Sequence, residues 1–484
     1  MVVVGSGAGG GVIAGELAQA GRNVLLLETG PHRTAADFTR WEAHASADIW
    51  WPMRFAMPAS DMTQPPVPII SGRCVGGTTT INTKVALRAT QHEFDKWHAF
   101  AGLANDAGDP FGPDDLAPFY DRVEQQLGIR ERADWTPSLQ MIAKAFEAVG
   151  SELEPVLSYT DENCMKCGSC LQGCPTNAGK STQNTYIHRA WARGLLDLRA
   201  DAFVERVVVE DGPDGPQATG VVYTDPTGTH TVGASAVVVA AGALNTPQVL
   251  WRSGLTNPQI GRNLGYHPAS FVFGRFEEPQ DAHRVYPISG HCLEHQRDED
   301  GGFIVEALSV QDPIGFAVSL CDESGVPLWG RRLNEACRGY RHWVGLLLMV
   351  NDDNNGWIEL DDNGNERIFT DFQPHELERA QGAYEKGREI LLAAGATEIL
   401  RSGTSCTHIQ NGCAMGADPA RSVVDSHGES HDVKRLFVGD ASAMPRTLSV
   451  NPSLTIMALA TRLASYIDAD ERGYLPSGRE AVAA

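Results

Sequence analysis

Apolar residues open the chain as a short unbroken run, Val2–Val4. It gives way to the glycine-rich turn "GSGAGG" and then to "GVIAGELAQA", where apolar positions recur at helical spacing. A second run, Asn23–Leu27, ends at Glu28. The order predicted is strand, tight turn, helix, strand. Residues 105–145 carry acidic, proline-containing helical patterns such as "GPDDLAPFYDRVEQQLGI" and read as an insertion packed on the first unit. From 268 to 400 the pattern changes. "ASFVFGRFEE", "RHWVGLLLMV" and "GWIELDDNGNERIFTDF" read as antiparallel strands, the last folded back at an Asp-Asn-Gly turn, and "PHELERAQGAYEKGREILLAAGA" reads as a long amphipathic helix. The whole predicts an α/β protein with a parallel-strand unit and a second unit of antiparallel sheet and helix.

Length and charge narrow the classes that remain. At 484 residues the chain can build more than one domain, and its apolar and charged fractions are those of a folded protein. A net charge of −22, without a local Lys/Arg cluster, opposes nucleic acid and anionic lipid as partners. The longest apolar stretches, 235–244 and 343–350, are far shorter than a bilayer span. The first residues enter a strand at once, with no basic segment ahead of a cleavable apolar one, so the expected compartment is the cytoplasm. There disulfides are rarely kept, and clustered cysteines point to metal or catalysis.

The first turn carries specific chemistry. Gly5, Gly7 and Gly10 fit G-x-G-x-x-G: one glycine for the turn, one for backbone approach to a pyrophosphate, one for helix–strand packing. The helix N-terminus favours the phosphate charge, and Glu28 is placed to bind a ribose diol. This predicts a dinucleotide site and leaves NAD and FAD open.

Three further stretches decide between them. "ISGRCVGGTTTINTKVALR" (70–88), "VVVAAGALNTPQVLWRSG" (237–254) and "LFVGDASAMPRTLSVNPSLTIMALATRLASYI" (436–467), taken in order with the glycine turn, resemble the glucose–methanol–choline (GMC) oxidoreductase family over nearly the whole chain. The resemblance implies a Rossmann-like FAD-binding domain with an interleaved substrate domain built on an antiparallel sheet. The approximate ranges are 1–267 for the FAD side with a cysteine-rich segment at 160–180, 268–400 mainly for substrate, and 401–484 for a return to FAD. By the same resemblance Gly76, Gly77 and Asn82 lie against the flavin, Ala241 and its neighbours close around the adenosine, and Val204 meets the adenine. Asp440 and Ala441 return to the cofactor, and Asn451-Pro452 opens a helix aimed at the isoalloxazine. Where some members attach FAD through a histidine, this chain has Thr78–Thr80, Ile81 and Asn82, so non-covalent FAD is expected.

Oxidising an alcohol by hydride transfer also requires the hydroxyl proton to leave, and histidine suits that task. In "SCTHIQNGCAMG" (405–416), His408 stands at the family's base position, and Asn451 stands where members carry histidine or asparagine to hold the substrate oxygen. His427 and His431 read as solvent-facing loop residues, and Cys406 and Cys413 as small buried ones. The substrate expected is a primary or secondary alcohol. The rivals are a non-redox lyase of the hydroxynitrile-lyase type and a pure electron-transfer flavoprotein.

The spacing C-x₂-C-x₂-C-x₃-C-P at Cys164, Cys167, Cys170, Cys174 and Pro175 is that of bacterial ferredoxins. A single such run leaves a [3Fe-4S] or [4Fe-4S] cluster, with zinc, disulfides or free thiols as alternatives. A cluster implies a dehydrogenase that hands electrons to a one-electron acceptor protein or a quinone. Without one, dioxygen, as in an alcohol oxidase, or a quinone at the flavin is expected.

Overall fold

The computed structural model describes residues 1–213, 215–286, 288–307, 312–470 and 472–475. Val2–Val4 is the centre of a five-stranded sheet in the order Leu436–Val438, Val237–Val239, Val2–Val4, Val24–Leu27, Leu196–Arg199. Every pairing in it is parallel. Four of its strands are continuous Val/Leu/Phe runs because helices cover both faces of such a sheet. The predicted first helix spans Gly10–Gln19 and packs against Ser453–Ala469, which in turn packs against Pro113–Leu127. The chain's last long helix thus packs on its first helix.

Phe203–Gly212, Gly215–Asp225 and Gly228–Gly233 form a separate three-stranded meander, with Val204 buried near its start. The second unit is an eight-stranded antiparallel sheet in the order Leu320–Cys321, Glu398–Ser402, Ala269–Arg275, Trp343–Val350, Phe303–Ala307, Gly290–Cys292, Glu154–Ser158, Arg130–Arg132. Its last two strands come from the range expected to be the FAD side, so the 105–145 insertion leads into this sheet. Helices Pro374–Ala393 and Pro137–Ala148 pack together, the first of them against the sheet. Gly387 lets the long helix sit close: a Cβ there would lie 2.6 Å from Val272 Cγ1.

The expected hairpin pairs Trp357–Leu360 with Glu366–Thr370 and is extended by Arg54–Pro58 and Val67–Ile69. Two main apolar cores result, one around the parallel sheet and one beneath the antiparallel sheet. Among the described residues, no helix is long and apolar enough to cross a membrane.

Candidate functional site

The glycine turn is built by close approach of backbones. Gly5 has φ +92°, and a Cβ on it would fall 2.3 Å from Ala240 O; one on Gly10 would fall 2.0 Å from Gly5 O. Gly7 differs. A Cβ there would meet no protein atom within 4 Å, so this backbone faces open space at the N-terminus of Gly10–Gln19. The vacant side of Gly7 is what a pyrophosphate against the turn requires.

Ser6 ties the neighbouring pieces together. Its N–H and hydroxyl donate to Glu28 Oε2 at 3.0 and 2.6 Å, and its Oγ accepts from Gly76 N–H at 2.9 Å. Glu28 Oε1 accepts from Gly30 N–H at 2.9 Å and keeps a lone pair. Burial raises the Glu28 pKa against the pull of these bonds. Gly76 and Gly77 lie directly on the first turn, and a Cβ on Gly77 would come 2.9 Å from Gly7 Cα. Asp440 closes the opposite wall: its oxygens accept from Gly242 N–H at 2.7 Å, Thr246 Oγ1 at 2.6 Å and Ser442 N–H at 2.8 Å. Thr246 Oγ1 also accepts from Ala241 N–H at 3.1 Å, while Ala441 follows Asp440 into a short helical turn.

Asn82 donates to the Tyr159 hydroxyl, which reaches Ser453 Oγ at 3.4 Å, two residues beyond Asn451. Pro452 caps the helix that begins at Ser453. Buried polar atoms without partners include Asn82 Oδ1 and Asn451 Oδ1 on these segments, both oxygens of Glu306 beside Asn451, and His267 Nε2. An open cradle at Gly7, together with orphaned polar groups on the segments ahead of the last helix, fits a dinucleotide with a reactive head.

His408 lies on the stretch that runs beside residues 441–448, with Asn411 N–H donating to Ala441 O at 2.9 Å and Leu448 N–H to Gln410 Oε1 at 3.2 Å. Its Nδ1 is 3.2 Å from His267 Nδ1, and among the described residues its Nε2 has no partner. His408 is half-buried and His267 fully buried, and loss of solvation pushes the His408 pKa down to about 4 and that of His267 well below its usual value. Both rings are therefore neutral at neutral pH. His267 was not singled out in the sequence because a histidine before proline in "GYHPAS" carries no periodic signal. Glu306 left a trace, as the one acid in the fully buried strand Phe303–Ala307. Its carboxyl lies beside Asn451, and burial pushes its pKa up to about 8.

The four cysteines form no disulfide; Cys170 is buried and the others half-buried. They lie close enough for the charge on one to act on the rest. Gly179 N–H donates to Cys174 Sγ at 3.2 Å. Behind them Lys84 is fully buried and directs its ammonium group at the carbonyls of Thr79 and Thr80. Burial pulls its pKa down to about 8 while Cys170 and Cys174 oppose the shift. Lys84 thus stands between the Gly76–Asn82 segment and the cysteines.

Two expectations about the remaining histidines need correction. His427 stacks on Tyr466 at 4.2 Å and meets Asp106 at 2.9 Å, and His431 meets Ser422 Oγ at 2.8 Å. Both are half-buried rather than solvent-facing, held by ring stacking and local polar partners. Cys406 and Cys413 are fully buried, as expected.

Two family models described as GMC oxidoreductase match residues 4–269 and 351–460. An uncharacterised GMC-type oxidoreductase of Mycobacterium tuberculosis, Rv0492c, is 30% identical over 96% of this chain and 75% of its own length. Long-chain-alcohol oxidase FAO4A of Arabidopsis thaliana is 28% identical over 95% of this chain and 67% of its own. The crystal structure of pyridoxine 4-oxidase from Mesorbium loti superposes with a TM-score of 0.76 at 19% identity, covering 96% of this chain and 98% of that one, which shows a shared fold. With both family models matched in order around the glycine cradle and the His408 segment, the chain belongs to the GMC oxidoreductase family of FAD-dependent enzymes.

Proposed function

We propose that the protein oxidises a primary or secondary alcohol to the carbonyl, with non-covalently held FAD accepting the hydride at N5. Gly5, Gly7 and Gly10 would hold the pyrophosphate, Glu28 the ribose, and Val204, Ala241, Asp440 and Ala441 the adenosine side. Gly76, Gly77, Asn82 and Pro452 would line the flavin.

His408 takes the substrate hydroxyl proton on Nε2, and Asn451 holds and orients the substrate oxygen. The observation that carries this reading is that His408 presents a ring nitrogen with no partner among the described residues, on a stretch hydrogen-bonded alongside residues 441–448, three positions short of Asn451; burial also lowers its pKa. The alcohol oxidases among the relatives agree with the substrate class.

For electron exit we propose an iron–sulfur cluster on Cys164, Cys167, Cys170 and Cys174, serving a one-electron acceptor protein or a quinone. What supports this reading is the spacing of the four cysteines, which is that of bacterial ferredoxins, and their mutual closeness. The N–H bond to Cys174 and the cation of Lys84 would both stabilise bound thiolates.

The test is anaerobic mixing of purified enzyme with a panel of alcohols while flavin absorbance is followed. Bleaching by an alcohol, slowed about a hundredfold or more in His408→Ala, is expected. Flavin that no alcohol bleaches would leave the lyase or carrier readings instead.

A further inference from the structure

The contact between His408 and His267 constrains how His408 can work. Both rings are neutral and their Nδ1 atoms are 3.2 Å apart, so one hydrogen is shared between two nitrogens. If His267 donates it, His408 carries its own hydrogen on Nε2 and can only donate toward the cavity. If His408 donates it, Nε2 has a lone pair and can accept a proton.

We propose that His267 is a positioning residue: by accepting the His408 Nδ1–H, it holds His408 in the tautomer that is basic at Nε2. The inference rests on the reading of His408 as proton acceptor. When the substrate O–H bond breaks, its proton joins Nε2, the O–H electron pair becomes the second C–O bond, and the carbinol hydride departs to the acceptor named above. His408 is then an imidazolium whose Nδ1–H still needs an acceptor. Within hydrogen-bond reach, the described residues offer it only His267 Nδ1. Such an arrangement fixes tautomer and ring orientation together.

The backbone holds His267 for this purpose. It is fully buried at φ +44°, a conformation few residues other than glycine adopt. Asp352 accepts hydrogen bonds from the N–H groups of Tyr266 and His267, which fixes the turn. The rings stand 5.3 Å apart at 32°, so the contact is made through nitrogen edges rather than by stacking. Among the described residues, the titratable groups around the pair include Tyr266, Asp352, the buried thiol of Cys406 bonded to Tyr266 O, and, beyond Asp352, Glu376 and Arg446. None of them reaches either ring by a hydrogen bond.

The experiment uses FAD-loaded enzyme with ¹⁵N-labelled histidine, as wild type, His267→Leu, His267→Asn and His408→Ala. The signal missing from His408→Ala identifies His408, and at pH 7 it should report hydrogen on Nδ1 and a bare Nε2. His267→Leu should lose that tautomer and about a hundredfold in kcat, with KM little changed. His267→Asn, which keeps an acceptor at the Nδ1 position and tolerates the positive φ, should restore both. Hydrogen on Nε2 of His408 in the wild type, or wild-type kcat and tautomer in His267→Leu, overturns the proposal. Should His267→Leu fail to hold flavin, the wild-type signal and the His267→Asn rescue decide. An enzyme that no alcohol reduces would sink the reading of His408 as base while leaving the tautomer signal readable, so the two failures are distinct.

Discussion

Glu306, on the strand Phe303–Ala307, lies beside Asn451, just ahead of the helix Ser453–Ala469, and neither Glu306 oxygen has a well-formed hydrogen bond. Burial moves this carboxyl from an ordinary value of 4.5 to about 8. Between those limits the folded chain keeps a proton that the unfolded chain has lost, so stability falls as pH rises, by about 1.4 kcal/mol per unit at the steepest. Glu306→Gln removes that loss. Its melting temperature should match the wild type near pH 4.5 and exceed it by a margin that grows up to pH 8; a margin independent of pH would contradict the assignment.

Gly7→Ala and Gly10→Ala should fail in different ways. The Gly7 methyl meets no protein atom, so this variant should fold and melt near the wild type without cofactor, yet purify with little FAD. The Gly10 methyl would collide with Gly5 O at 2.0 Å, so that variant should lose stability whether or not FAD is supplied. Flavin content alongside apoprotein melting separates the two.

His408 bears on the acid limb of the rate profile. With its pKa near 4 the ring is unprotonated from pH 9 down to about 5, so kcat/KM should stay level there and fall only as pH drops through about 4. An acid limb centred near the ordinary histidine value of 6.5 would mean that the ring is better solvated than its burial implies.

The cysteine segment is tested by metal analysis of protein purified without air. Iron and acid-labile sulfide should each be present at roughly three or four per flavin. Cys170→Ser, which alters the buried member of the set, should lose the iron while keeping FAD. Flavin without iron would make Cys164–Cys174 a structural loop and turn the search for the acceptor to dioxygen or a quinone.

Much of this was legible in the residues themselves. The glycine turn, the strand Val24–Leu27, the hairpin 357–370 and the helix Pro374–Ala393 follow from local pattern, since each is specified by neighbours in sequence. The strands Arg130–Arg132 and Glu154–Ser158 were not legible, because the first is three polar-patterned residues paired only with the second, and the second joins the sheet through Gly290–Cys292, far along the chain. Of the site, His408 and Asn451 stood in recognisable motifs. His267, Glu306 and Lys84 did not: His267 and Glu306 are distinguished by burial beside a residue more than a hundred positions away, and Lys84 by burial between its own segment and the cysteines; of the three only Glu306 left a trace, as the one acid in its strand.

The strand order of the parallel sheet also bears on biosynthesis. Val2–Val4 pairs with Val237–Val239, whose other edge waits for Leu436–Val438. At ribosomal rates of 5–20 residues per second, on the order of twenty to ninety seconds separates the first of these strands from the last. Through that interval the nascent chain carries an unbroken valine run with incomplete pairing, a surface that holding chaperones bind and aggregates recruit. A chain truncated before Leu436 therefore leaves Val237–Val239 unpaired on one side rather than making a smaller enzyme.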